Sequence, residues 1–180
     1  MSTNEQTKFN YLNIYNEAHN NAVGLLKESQ ILFDNGCYAR SYFLAFTALE
    51  EISKSQFAAD VFTGFSKEDD FLNFYTNHKD KIRRIGWAHE DANSYPHNII
   101  WVGPDRDDVE RVKDSEPLFQ KRNDALYVGM IDNNIKLPNE EVSETDAQEI
   151  IHIANVAFQR IWEVSGEFGG NQIGTKGFMK

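Results

Sequence analysis

The chain has 180 residues, of which 41% are hydrophobic and 13% aromatic, so it is long enough to bury one core but short for two. Its formal net charge of −10 opposes broad, nonspecific binding to nucleic acid, because phosphate backbones attract positive protein surface. No stretch approaches the roughly 20 apolar residues of a membrane span, and the first ten residues lack the features of a signal peptide. The single cysteine, Cys37, cannot form an internal disulfide. We therefore expect one cytoplasmic domain without membrane association.

Two long helices are predicted first. Apolar residues recur at three- and four-residue steps from Asn10 to Phe33, which indicates an amphipathic helix. Gly36, in the segment "DNG", suits the left-handed position that ends a helix. A second helix is predicted from Tyr38 to Phe62, and the short turn makes the two helices antiparallel neighbours.

The middle of the chain predicts shorter helices. Ser66 stands in a capping position before acidic residues, so a third helix should open near Lys67. The segment "HKDKIRRIGWAHE", which starts at His78, predicts a fourth helix or a continuation of the third after a bend. Residues 91–115 carry turn signals and predict a long loop with a short helical piece.

The last third predicts two more helices around a small extended insert. Ser115 is expected to cap a helix that has Pro117 in its first turn. Asp132, Asn133 and Asn134 fit a turn between two short extended segments, and Ser143 is a strong cap for the closing helix.

These elements predict an all-α bundle of four to five main helices in a single domain over residues 1–168, followed by a flexible tail over 169–180. The chain contains no Gly-rich phosphate loop, CxxC pair, HExxH or GxSxG motif. We therefore expect no cofactor and no metal ion.

Three charges interrupt the apolar pattern of the second helix. Glu50 and Lys54 are four residues apart, in the order that stabilises an exposed ion pair. Glu51 lies about 100° further round the helix, nearer the apolar stripe, and would need a partner if buried. The candidate partners are Lys54, the His78–Lys79 pair and Arg122. We expect Glu51 and Lys54 to form a partly buried polar cluster with His78 or Arg122, whereas Glu50 stays in solvent.

Several segments, in this order, resemble the AbiV-type abortive infection proteins. They are "NGCYARS" between the first two helices, "ALEEISK" in the second, "NHKDKI" in the basic segment, and "KRNDALYVG" followed by "LPNEEVSETDAQEIIHIA". The resemblance spans about residues 20–160 and departs at Gly129, where an aspartate is expected. It implies a HEPN-like helical domain, a kind of small bundle that usually dimerises.

The resemblance also implies a function in phage defence, in which the protein arrests host growth or translation. Many HEPN domains are metal-independent RNases: an arginine holds the scissile phosphate and a histidine five to seven positions later moves the proton of a ribose 2′-hydroxyl. Arg122 and Asn123 keep the arginine–polar pair, but Tyr127 stands where the histidine is expected. The resulting candidate catalytic residues are Arg122, Asn123, Tyr127 and His78.

A second arrangement stays open on sequence alone. Arg83 and Arg84 precede His89 at an acceptable spacing, although no polar residue follows Arg84. Together with Lys81, the two arginines also form a predicted RNA-binding patch.

The alternative function is a noncatalytic dimeric interaction module that binds a phage or host protein. The acidic net charge and Tyr127 favour this alternative, whereas Arg122, Asn123 and the basic segment favour the RNase. The expected partners are a second copy of the chain, RNA or the translation machinery, and a phage-encoded activator protein.

Overall fold

The computed structural model describes residues 3–64, 66–84 and 115–161. These residues form α1 (Thr3–Asp34), α2 (Tyr38–Phe62), α3 (Glu68–Tyr75), α4 (His78–Arg84), α5 (Ser115–Asp124), β1 (Gly129–Ile131), β2 (Asn134–Lys136), α6 (Pro138–Glu141) and α7 (Glu144–Ile161). The predicted all-α class with one small extended insert is confirmed. The predicted loop before α5, the end of the domain at 168 and the tail at 169–180 lie outside the described residues.

The turn between α1 and α2 has the geometry expected from its sequence. Gly36 has a φ of 74°, which is the left-handed region that favours glycine. The backbone N–H of Cys37 donates to the Leu32 carbonyl at 2.8 Å, and that of Gly36 donates to the Phe33 carbonyl at 2.9 Å. This pair of hydrogen bonds is a Schellman motif, which ends α1 and turns the chain back into α2. The predicted helix pair is confirmed, and α2 has the predicted bounds.

Small residues let α1 and α2 approach closely. Ser29 and Ser41 are fully buried at their contact, and each hydroxyl donates to the other residue's carbonyl, at 2.8 and 2.9 Å. Ala22, Ala45 and Ala48 are also fully buried, and they belong to the larger of two apolar clusters. The close contact places α2 in the interior of the bundle.

The helix α2 is surrounded by most of the other elements. It packs against α1 and α7, and α3, α4 and α5 also contact it. Its buried residues therefore lie on several faces, and they include the polar side chains of Glu50, Ser53, Gln56 and Asp60. A helix in this position has no continuous wet face.

The starts of α3 and α4 differ in their capping. Lys67 occupies the N-cap position of α3 without a side-chain hydrogen bond, so the predicted cap at Ser66 is wrong by one residue. At α4 the side-chain oxygen of Asn77 accepts hydrogen bonds from the backbone N–H groups of Lys79 and Asp80, at 3.1 and 3.3 Å. This cap begins α4 at His78 and fixes the direction in which that residue leaves the turn.

The insert and the last helix follow their sequence signals. The strands β1 and β2 pair antiparallel, with Ile131 opposite Asn134. Asp132 and Asn133 have φ values of 49° and 63°, as a two-residue hairpin turn requires. Ser143 caps α7: its hydroxyl accepts from the N–H of Asp146, whose carboxylate accepts in return from the N–H of Ser143.

Candidate functional site

A buried carboxylate on α2 lies at the centre of the site. Glu50 is only 3% exposed, so the prediction that it stays in solvent is wrong. The prediction treated α2 as a surface helix with one wet face, whereas α4 and α5 pack against it. A carboxylate removed from water needs positive or hydrogen-bonding partners, because its ionised form is otherwise strongly disfavoured.

His78 is the first of these partners. Its Nδ1 lies 2.9 Å from both carboxylate oxygens of Glu50. A carboxylate can only accept hydrogen bonds, so Nδ1 carries the proton in this contact. The other ring nitrogen, Nε2, takes no part in the contact with Glu50. The His78 side chain is 42% exposed, so one edge of the imidazole is held by Glu50 while the ring remains accessible to solvent.

Arg122, on α5, is the second partner. Its Nε lies 3.9 Å from Glu50 Oε1, and its side chain is 12% exposed. The Arg122 Nη1 donates to Asn123 Oδ1 at 3.1 Å, and the guanidinium carbon lies 4.9 Å from the centre of the Phe43 ring. Nε is buried and has no hydrogen-bond partner among the described residues. The guanidinium is thus fixed by an amide and an aromatic face, and it has donor capacity left over.

Lys81 is a further basic residue near Glu50. It is 6% exposed, so it is not part of an exposed basic patch as predicted. Burial lowers the pKa of Lys81, and the nearby Glu50 carboxylate opposes that shift. The side chains of Arg83 and Arg84, and the whole of His89, lie outside the described part of the chain, so the patch and the second arrangement stay predictions.

Glu51 and Lys54 form a separate ion pair on another side of α2. Both side chains are 14% exposed, as expected for a partly buried pair. The predicted further partners, His78 and Arg122, contact Glu50 instead. The predicted pairing of Glu51 with Lys54 is therefore confirmed, whereas the predicted further partner of this pair is wrong.

The remaining candidates lie at the edge of the site. Lys79 is exposed, and its Nζ lies 5.6 Å from the centre of the Phe119 ring, beside His78. Tyr127 is 61% exposed, and its backbone N–H donates to the Asn123 carbonyl. The structure therefore joins His78, rather than Tyr127, to Arg122 through a shared carboxylate.

Two aromatic residues of the site were not predicted from the sequence. Phe43 lies seven residues before Glu50, which is two helical turns and hence the same face of α2. Phe119 lies three residues before Arg122, and its ring centre is 6.3 Å from that of His78. The helical spacing of each aromatic residue from a candidate charged residue is the signal that could have found them.

The described residues contain no group of three or more histidine, cysteine, aspartate or glutamate side chains arranged to hold a metal ion. Among the same residues, no helix has the length and apolar character needed to cross a membrane.

Comparison with known proteins finds one family that matches the chain. The family model described as AbiV, a HEPN domain, matches residues 10–159. No curated protein and no solved structure matches the chain.

Proposed function

The chain belongs to the AbiV family of HEPN domains, which implies abortive-infection defence, and on that premise we propose that it arrests host growth by cleaving RNA without a metal ion. The observation that carries the proposal is the shared carboxylate of Glu50. It contacts a histidine and an arginine from two other helices, and both lie in segments that resemble the family. A phosphate-binding cation beside an oriented imidazole is the minimum set for cleavage of RNA by its own 2′-hydroxyl.

In this mechanism His78 moves the proton. Nε2 takes the proton of the ribose 2′-hydroxyl while the 2′-oxygen forms a bond to the adjacent phosphorus. The bond from phosphorus to the 5′-oxygen breaks, and the imidazolium returns the proton to that leaving oxygen. The products are a 2′,3′-cyclic phosphate and a 5′-hydroxyl end. Glu50 holds Nδ1–H and stabilises the imidazolium that forms, as a carboxylate does in other carboxylate–histidine pairs.

Arg122 stabilises the charge that develops on the phosphate oxygens. Its guanidinium is held by Asn123 and Phe43, so little reorganisation is needed when the phosphate arrives. Tyr127, which is exposed five residues later, orients the RNA in this proposal and does not carry the proton.

The test is incubation of the purified protein with total RNA and with tRNA in the presence of EDTA. Wild-type protein should cleave, and His78→Gln and Arg122→Ala should each reduce the rate by about 10²-fold or more. The matched controls are His152→Gln on α7 and Arg40→Ala on α2, both of which change exposed residues. Circular dichroism should show that all four variants fold.

Cleavage that EDTA abolishes would contradict the proposal. So would folded His78→Gln and Arg122→Ala variants that cleave as fast as the two controls.

One feature supports dimerisation, which the second candidate, a noncatalytic dimeric interaction module, requires. Six large apolar side chains between residues 127 and 137 are each 44–72% exposed and form what we term the hairpin surface: Tyr127, Val128, Met130, Ile131, Ile135 and Leu137. Monomeric proteins rarely expose so many neighbouring apolar side chains. The cross-strand pair Met130 and Ile135 is its most exposed part, at 72% and 68%.

Charge favours a second copy of the chain as the occupant of the hairpin surface. Residues 127–137 carry one acid, Asp132, and one base, Lys136, so the segment has no net charge within a chain of −10. Two copies of an acidic protein meet with least repulsion at such a neutral surface. The outer edges of β1 and β2 have no strand partner in the described residues, so two hairpins could also pair through their backbones.

Light scattering tests this candidate. The wild type should have twice the 20.7 kDa mass of one chain at high micromolar concentration, and Ile131→Lys should lower the mass toward one chain. Ile31→Lys, which changes an exposed isoleucine on α1, is the matched control. A monomeric wild type would rule out the dimer. Growth arrest that survives His78→Gln but not Ile131→Lys would favour the interaction module over the RNase.

A further inference from the structure

A cavity of about 630 Å³ lies between α1, α2 and α3, away from the His78 and Arg122 contacts. Its size falls within the range of ligand sites in proteins. Its walls are mainly aromatic and aliphatic, and they include Tyr11, Ile14, Phe71, Leu72 and Tyr75. Aromatic walls of this kind favour a flat ligand, because ring faces and edges give the largest contact area to a planar molecule.

The polar part of the lining consists of the Glu51–Lys54 ion pair and the exposed residues Glu17 and Asn21. Lys54 donates one hydrogen bond, to Glu51 Oε1, although an ammonium group has three N–H donors. Glu51 Oε2 accepts no hydrogen bond from the residues that the structure describes. Both side chains are 14% exposed, so this unused donor and unused acceptor stand side by side in a partly solvated cavity.

The charges around the cavity select against both anions and cations. Glu17 lines it, and Glu68 lies close enough to Tyr11 that burial and this carboxylate together raise the pKa of the phenol to about 12. Carboxylates at the mouth repel a phosphate. The ammonium groups of Lys54, which lines the cavity, and of Lys81, which does not, lie 5.3 and 5.8 Å from the centre of the Tyr75 ring, and they repel a cation.

We propose that this cavity binds a neutral planar heterocycle with a lactam edge, in which a ring C=O stands beside a ring N–H, as in guanosine. Lys54 donates to the carbonyl oxygen, Glu51 Oε2 accepts from the ring N–H, and Tyr11, Phe71 and Tyr75 contact the ring. The acidic mouth makes the nucleoside a better ligand than its 5′-phosphate. The site uses none of the residues assigned to RNA cleavage, so it stands or falls independently of that activity.

The primary test is a nucleoside series on the unmodified full-length protein, measured by isothermal titration calorimetry. Guanosine and inosine, which share the lactam edge, should bind. Adenosine, which lacks the carbonyl, and 1-methylguanosine, which lacks the ring N–H, should bind at least about tenfold more weakly, because one member of the partly buried pair then loses its hydrogen bond to the ligand. Guanosine 5′-monophosphate should also bind more weakly than guanosine.

Variants locate the binding. Glu51→Gln and Lys54→Met should each weaken guanosine binding by about tenfold or more, and Leu72→Trp should block it by filling the cavity from an exposed wall position. Glu28→Gln, an exposed substitution on α1, is the control. Absence of guanosine and inosine binding at millimolar concentration overturns the proposal, as does equal binding of adenosine and guanosine, or full binding by Leu72→Trp. Each of these outcomes is measured on the unmodified protein or on Leu72→Trp, so none of them depends on whether the Glu51 and Lys54 variants fold.

Discussion

Replacing Glu50 should destabilise the protein more than replacing its neighbour Glu51, although the two residues have the same chemistry. Glu50→Gln keeps the volume of the side chain but removes the charge that compensates Arg122. Glu50 is 3% exposed and the Arg122 Nε atom that faces it is buried, so this atom cannot recover water without local opening. Glu51→Gln instead affects a pair with Lys54 in which both side chains retain some contact with solvent.

The magnitudes follow from this difference in burial. Removing one partner of a buried ion pair costs about 3–5 kcal/mol. His78 is 42% exposed and can be rehydrated, so only Arg122 is left uncompensated, and we expect a loss of about 2–4 kcal/mol for Glu50→Gln. For Glu51→Gln we expect about 1 kcal/mol, near the upper end for accessible pairs.

Urea denaturation of the two variants gives the comparison, and a double-mutant cycle isolates the contact. If Glu50 stabilises Arg122, Arg122→Met should cost much less in the Glu50→Gln background than in the wild type. The reasoning is refuted if Glu51→Gln costs as much as Glu50→Gln, or if the losses from Glu50→Gln and Arg122→Met simply add.

Three further predictions concern the fold. Ser41→Val should lower the free energy of unfolding by about 2–3 kcal/mol, because the added methyl groups overpack the α1–α2 contact. An unchanged urea midpoint would contradict the close approach of the two helices. Burial alone would raise the pKa of Asp146, but hydrogen bonds from Lys121 and Ser143 outweigh it and lower the pKa below 3.8. Asp146→Asn should therefore cost about 1 kcal/mol at pH 7, and its urea midpoint should converge with that of the wild type as the pH falls through the folded-state pKa. Burial lowers the pKa of His19 below 6.5, so the unfolded chain binds a proton at this residue before the folded chain does. The stability present above pH 6.5 should therefore be lost as the pH falls. A His19→Phe variant that loses as much stability as the wild type between pH 7 and pH 5 would contradict this.

Local signals predicted the backbone well. The left-handed Gly36, the Asp132–Asn133 turn and the Ser143 cap are each decided by a few consecutive residues, and the structure has all three. Element boundaries of this kind depend on backbone conformation and on nearby hydrogen bonds. They are therefore readable in a short window of sequence.

The burial of Glu50 could not be read in the same way. The spacing of Glu50 and Lys54 is that of an exposed ion pair, and only the packing of α4 and α5 against α2 reverses that interpretation. His78 and Arg122 lie 28 and 72 residues further along the chain, so their approach depends on tertiary structure. The family resemblance marked their segments as important, but it did not indicate that a carboxylate joins them.

The chemistry of the RNA ends tests the central claim most directly. Purified protein is incubated with a defined tRNA in EDTA, and the ends of the fragments are determined by mass spectrometry for the wild type, His78→Gln and the control His152→Gln. Our account expects fragments with 2′,3′-cyclic phosphate and 5′-hydroxyl ends from the wild type and the control, and almost none from His78→Gln. Intact tRNA in every sample, or fragments of the same kind and amount from folded His78→Gln, would contradict it.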